Sequence, residues 1–289
     1  MVARGRASPR LAGPASAEFL CVGHVVVFIS LLLGGALATL LLAASLAPAR
    51  LSPLAVRLAA EPQALVRDLG GRAVSVFDLP VDEARLLLLP VSQERSLPEG
   101  YRPPDLVWTF GRPVRSVIAP DLRAMIDAAA IDEVDLAVIS GYRSPAEQAA
   151  AFEASVWRQL ARERGAIDRG EAEARAARFV APPGHSQHQL GTAVDLSSWE
   201  LSYAINPRFA ETPAGRWIAR HAWAYGFVLP YTRPGESRTG YTYEPWHLRW
   251  IGRPLATLLD AAGYLDDPSL VADDYLRAVE ELLDVEGAP

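Results

Sequence analysis

The chain has 289 residues, half of them apolar, and its 28 basic and 34 acidic residues give a formal net charge of −6. That length suits one sizeable domain with appendages or two small ones, and the acidic balance argues against a nucleic-acid partner. Every basic residue is arginine, which excludes a serine peptidase of the Ser-x-x-Lys type, and the one cysteine, Cys21, excludes a disulfide or thiolate site in the rest of the chain.

From Val25 to Ala47 the sequence is apolar except for Ser30, Thr39 and Ser45. At about 1.5 Å per residue this run can cross a hydrocarbon core of roughly 30 Å. It is longer than the apolar region of a typical cleavable signal, about 7–15 residues. Although Ser45-Leu46-Ala47 could mimic a cleavage site, a retained single-pass anchor is expected. Arg4, Arg6 and Arg10 precede the run and place residues 1–24 in the cytoplasm by the positive-inside bias. The rest of the chain is then expected outside the cell membrane.

Residues 48–94 read as a membrane-proximal stem, and Leu97 to Pro104 as extended, proline-restricted chain. A helix is predicted from Leu122 to Ala129, a buried strand from Asp135 to Ser140, and a second helix from Pro145 that continues to about Phe179. After a break at Gly191, Thr192 to Leu196 reads as a strand. Arg216 to Tyr225 reads as a helix stopped by Gly226, Phe227 to Pro230 as a short strand, and Glu244 to Trp250 as a strand or strand edge. Leu255 to Ala262 and Asp273 to Leu283 are helical, the last an acidic surface addition. Strands interrupted by helices point to an α+β fold.

Polar residues gather in three separated clusters: Ser140 to Ser144, Ser186 to Asp195, and Glu244 to His247. A catalytic zinc takes three protein ligands and keeps a fourth position open, with imidazole and carboxylate among its usual donors. Of the five histidines, His221 lies in an amphipathic helical stretch beside Trp217 and Trp223 and reads as a packed or surface residue, and His24, at the edge of the apolar run, reads as incidental. His185, His188 and His247 lie beside glycine, proline and polar residues, where functional groups concentrate. His188 and Asp195, seven apart, would point to opposite faces of an unbroken strand. They meet only if the chain bends near Gly191, and Pro245 has the same part to play between Glu244 and His247. Spacing alone leaves the ligand set open.

The run Pro182 to Asp195 resembles the motif Ser-x-His-x-x-Gly-x-Ala-x-Asp of the peptidase M15 family, the VanY type of D-alanyl-D-alanine carboxypeptidase. Ser140 to Ser144 with Gln148 and Phe152, and Thr239 to Tyr241 followed by Glu244 to Gly252, resemble two further segments of that family. The resemblance covers residues 95–263, leaving 264–289 as an acidic helical tail. It implies a small antiparallel sheet with flanking helices around a zinc site, like that of hedgehog and D-Ala-D-Ala peptidase domains. It also implies Zn2+ held by His188, Asp195 and His247, with His185 as the alternative donor, Glu244 as catalytic base, and Arg143 contacting substrate or polarising the scissile carbonyl. Ser186, Gln148 and Tyr142 would line the substrate site. Gln187 stands where the family often has glutamate and Trp250 where tyrosine is usual; neither removes a ligand. The implied activity is removal of the terminal D-alanine from peptidoglycan stem peptides by a monomer. The alternatives are L,D-carboxypeptidase or wall endopeptidase activity on the same zinc chemistry, and an inactive zinc-binding recognition module.

Overall fold

The computed structural model describes residues 66–68, 73–75, 85–267 and 271–286. The apolar run at 25–47 and most of the stem lie outside them. Among the described residues no helix is long and apolar enough to cross a membrane.

Two short hairpins precede the main sheet: β1 (Val66–Asp68) with β2 (Ala73–Ser75), and β3 (Leu106–Thr109) with β4 (Arg112–Arg115). The second turns through Phe110 and Gly111, both at positive φ (51° and 72°), the combination a two-residue hairpin turn needs. Helix α1 (Ala119–Ile131) then leads to β5 (Ala137–Ser140). Helix α2 (Pro145–Arg162) opens on a capping box, in which the Ser144 side chain accepts from the Glu147 backbone and Glu147 reaches back to Ser144, with Pro145 at the first helical position. The predicted continuation of this helix is instead a separate α3 (Arg169–Ala176), started by Asp168 as its N-cap.

The sheet that positions the site has four antiparallel strands in the order β5-β6-β8-β7. These add β6 (Ala193–Ser197), β7 (Phe227–Val228) and β8 (His247–Trp250) to β5, with the one-turn helix α4 (Gln187–Leu190) just before β6. Helix α5 (Pro213–His221) and a 3-10 turn (Ala222–Tyr225) lead to β7, and the one-turn α6 (Glu236–Thr239) lies between β7 and β8. Helices α7 (Arg253–Ala261) and α8 (Ala272–Glu286) close the chain.

Side-chain alternation divides the sheet into two faces. Val138, Val194, Leu196, Leu248 and Trp250 join the main core with Leu122 and Met125 of α1 and Trp217 and Ile218 of α5. The intervening residues Asp195, His247 and Arg249 therefore face the other way. On that second side Val228 packs with Leu255 and Leu259 of α7 and Tyr275, Leu276 and Val279 of α8.

Two sequence boundaries shift. Leu87, Leu88 and Val91, read as stem, are buried in the core. Helix α8, read as a surface addition, buries Ala272, Tyr275, Leu276 and Val279 and is tied to the 94–95 segment by ion pairs from Arg95 to Glu280 and from Arg277 to Glu94. Its acidic residues obscured an apolar stripe at helical spacing.

Candidate metal centre

Strand register builds most of the centre. Asp195 on β6 is paired directly with His247 on β8, and on its other side with Ser140 on β5 across a register shift. Directly paired residues of antiparallel strands carry their Cβ atoms about 4.5–5.5 Å apart on one face. His188 arrives on the single turn α4. Gly191 caps that turn at φ +78°, and a Cβ there would also crowd Arg115 and Pro103, so the bend required by the sequence spacing falls on a residue without a side chain. Glu244 precedes β8, and the His247 amide donates to its carbonyl (3.1 Å) across a Pro245-Trp246 turn.

The result is a buried group of three donors, His188, Asp195 and His247, whose ligand atoms lie within 4.8 Å of one another. His188 Nε2 is 3.2 Å from Asp195 Oδ2, and His247 Nδ1 is 3.1 Å from Asp195 Oδ1. Each ring's outer nitrogen faces an acceptor: His188 Nδ1 lies 2.8 Å from the Gly141 carbonyl, and His247 Nε2 lies 3.1 Å from Gln187 Oε1. A neutral imidazole has one N–H. Spending it outward leaves a bare lone pair on each inner nitrogen, directed at a carboxylate. Two lone pairs against an anion repel unless a cation lies among them. The donor set thus fits zinc, whose histidine ligands characteristically donate their second nitrogen to an outer acceptor.

The electrostatics agree. Burial, the largest influence, lowers the His247 imidazole to about 4 although the Asp195 carboxylate opposes it. Burial alone would raise the Asp195 carboxyl; it stays below the usual carboxylate range only through charge and hydrogen bonds from His188 and then His247, so with their N–H groups turned outward a cation must supply that pull. Glu244 behaves in the opposite way. Burial and then the charge of Asp195 push its carboxyl well above the usual range, against the pull of Arg143. A dication at the triad would favour its ionised form.

Arg143 follows β5 and is fixed at several points. Its amide donates to the His188 carbonyl (3.1 Å), Nη1 donates to Gln148 Oε1 (2.9 Å) and Nη2 to Ser140 Oγ (3.2 Å). Nη2 lies 3.8 Å from Asp195 Oδ2. Gln148 is fully buried and its amide nitrogen donates to the Ala181 carbonyl (2.6 Å), so it holds Arg143 in place. Ser186 caps α4, its hydroxyl accepting from the His188 amide (3.3 Å).

A cavity of about 610 Å³ opens from the triad, and Arg143, Gln148, Ser186 and Glu244 all line it. Tyr142, expected to contact substrate, is not among its lining residues. The Tyr142 amide is bonded to the Pro113 carbonyl (2.6 Å), and beyond the effect of burial its phenol responds to Arg102 and Glu147. His185 and His221 also stay out of the triad. His185 Nδ1 meets the Ser92 carbonyl (2.9 Å), and His221 packs on Trp217.

Sequence reasoning missed Gln187 and Tyr231. Gln187 holds the outer nitrogen of His247, and the Tyr231 ring stacks on that imidazole at 5.0 Å, backed by Tyr241 at 4.6 Å. In the sequence Gln187 stands out only as a departure from the family's usual glutamate beside His188, with no role attached; nothing in the spacing pointed to Tyr231.

Comparison with known proteins agrees with this geometry. Residues 111–253 match the family model of VanY, D-alanyl-D-alanine carboxypeptidase. YodJ of Bacillus subtilis (strain 168) is 34% identical over 206 residues, covering 68% of this chain and 69% of the relative. The structure of VanYB in complex with D-alanine-D-alanine shares 30% identity and superposes with a TM-score of 0.57, covering 66% of this chain and 97% of that one. A mutant of a VanY D,D-pentapeptidase in complex with Zn(II) is 29% identical with a TM-score of 0.56, covering 66% of this chain and 99% of that one. The motifs, the sheet that assembles them and these likenesses converge: the chain belongs to the VanY D-alanyl-D-alanine carboxypeptidase family of zinc metallopeptidases.

Proposed function

We propose that this protein is a zinc-dependent D,D-carboxypeptidase that removes the terminal D-alanine from peptidoglycan stem peptides. The observation that carries the reading is the pair of imidazoles whose outer nitrogens are capped and whose inner nitrogens converge on Asp195. His188, Asp195 and His247 would hold the metal. When bound, zinc supplies Lewis-acid polarisation of the scissile carbonyl and lowers the pKa of a water at the site to about 7. Glu244, buried at the rim of the triad with its Oε2 3.9 Å from His247 Nδ1, takes the water's proton and delivers it to the departing amine. Arg143, held by Gln148 and Ser140, presents a fixed cation to the substrate's terminal carboxylate or to charge developing on the carbonyl oxygen. Ser186 fixes the turn that carries His188.

On this reading the apolar run at 25–47 anchors a monomer once in the membrane, with Arg4, Arg6 and Arg10 inside and the peptidase domain outside, facing the wall. Full-length protein in detergent, given defined muropeptides, is expected to convert pentapeptides ending in D-Ala-D-Ala to tetrapeptides, detected by mass as loss of one alanine. Loss of alanine from tetrapeptides alone, or opening of cross-links alone, would contradict the D,D assignment and identify an L,D-carboxypeptidase or an endopeptidase respectively.

A further inference from the structure

The cavity at the triad, about 610 Å³, is larger than a metal ion and a terminal dipeptide require. Besides Arg143, two guanidiniums line it, those of Arg158 and Arg233. Neither has a carboxylate partner among the described residues. Arg158 Nε donates to the Ala154 carbonyl of its own helix (3.1 Å), and the Arg233 guanidinium lies 4.3 Å over the Tyr243 ring. The outer surface of α2 and α3 is different, because there Arg169 pairs with Glu153 and Glu173, and Arg175 with Glu163 and Glu171. Three carboxylates also line the cavity. Asp195 and Glu244 belong to the metal centre, and Glu236 accepts from the Tyr243 amide (2.8 Å). Away from the metal the two guanidiniums outweigh the one carboxylate, Glu236, so the cleft is net cationic there, in a chain of net charge −6. A cleft of one sign focuses its field on ligands of the other.

Spacing along α2 gives a scale. Arg158 lies ten positions beyond Gln148, which holds Arg143 at the metal end. At about 1.5 Å per residue that is about 15 Å of helix. An extended peptide advancing roughly 3.3–3.6 Å per residue covers that distance in about four residues.

We propose that this cleft selects peptides bearing a carboxylate upstream of the scissile bond, with Arg158 and Arg233 as the specificity-determining residues; the inference rests on the peptidase reading given above. A guanidinium stacked on tyrosine, as Arg233 is, keeps its edge N–H groups for a carboxylate and loses little freedom on binding. In a wall stem peptide the carboxylate has two chemical sources: the side chain of a diamino diacid next to the terminal dipeptide, or the free α-carboxyl of a γ-linked glutamate one residue further upstream.

The test compares kcat/KM of the zinc-loaded, full-length protein on acylated peptides that all end in D-Ala-D-Ala. One set carries a diamino diacid, lysine or a neutral residue next to the dipeptide. The other carries γ-linked glutamate with its α-carboxyl free or amidated. At low salt at least one carboxylate-bearing peptide is expected to exceed its uncharged counterpart by about tenfold, with the advantage shrinking as salt screens it. Which set shows the effect identifies the source. In R158Q/R233Q the ratio should fall to about one; it is taken between peptides on the same preparation, so any loss of folded enzyme cancels. A wild-type ratio of one in both sets, or a ratio unchanged in the double variant, would overturn the inference while leaving the peptidase reading intact. Failure to cleave any of the peptides would instead overturn the peptidase reading, and the inference with it.

Discussion

Two positions on one face of strand β8, the face turned away from the main core, bury charge in opposite ways. At His247 the sheet gathers one carboxylate and two imidazoles whose lone pairs converge, and the chain's own cation there, Arg143, stands 3.8 Å from Asp195 Oδ2 without a hydrogen bond to it. Two residues on, Arg249 is fully buried and brings its own positive charge, donating through Nη2 to the Leu87 and Leu89 carbonyls (2.8 and 3.2 Å) within the field of Asp273. Burial is the largest influence on the guanidinium and lowers its pKa to about 10, while Asp273 pulls it upward. Desolvating ionised groups costs several kcal/mol per ion unless partners compensate. Arg249 offsets part of that cost inside the chain and ties the 87–89 segment to the sheet. The triad leaves it to an imported ion, which is what makes it a site.

The largest expected effect separates the base from the ligands. Glu244→Gln should keep the fold and the zinc, yet lower kcat on a D-Ala-D-Ala peptide on the order of 10²–10⁴-fold, as loss of general acid–base catalysis does. Turnover near the wild-type value at unchanged zinc content would place the proton transfer on another group. Next comes the buried guanidinium of Arg249. Arg249→Leu should destabilise the domain by about 3–5 kcal/mol in denaturant melts, because it leaves the buried Leu87 carbonyl without its guanidinium donor and removes the larger of the positive charges that offset Asp273. A variant as stable as wild type would mean that Arg249 ties nothing together.

The smallest effect is a pH dependence. Burial raises the Asp273 carboxyl to about 6 although Arg249 opposes it. A carboxyl raised in this way binds its proton more tightly folded than unfolded, so its ionisation costs stability. The cost is absent below the ordinary carboxylate pKa, grows as the pH rises toward 6, and is constant above it. Asp273→Asn removes it. The stability of the variant relative to wild type should therefore rise between pH 4 and pH 7 by on the order of 1–3 kcal/mol. A difference that stays flat over that range would show that Asp273 ionises without penalty.

How much of this was legible in the sequence depended on whether the information was local. Gly191 announced the bend between His188 and Asp195, and Ser144-Pro145 with Glu147 announced the start of α2. The direct pairing of Asp195 with His247, 52 positions apart, came from motif resemblance, because single-strand spacing says nothing of which strand lies alongside. The hairpin at 106–115 was missed because its turn puts Phe110 at positive φ, a place usually held by glycine or asparagine. Tyr142 was overvalued because it stands next to Arg143, yet neighbours in an extended chain point in opposite directions. The buried stripe of α8 lay hidden among acidic residues, and Gln187 could be placed only once the ring it holds had been placed.

The central claim is that His188, Asp195 and His247 together hold one zinc ion. Metal content per folded chain tests it most directly, measured by mass spectrometry on full-length wild type and on His188→Ala, His247→Ala, His185→Ala and His221→Ala after equilibration with buffered zinc. The account predicts about one zinc in wild type and in the His185 and His221 variants, with strongly reduced zinc in the His188 and His247 variants. Full occupancy in either of those last two would contradict it.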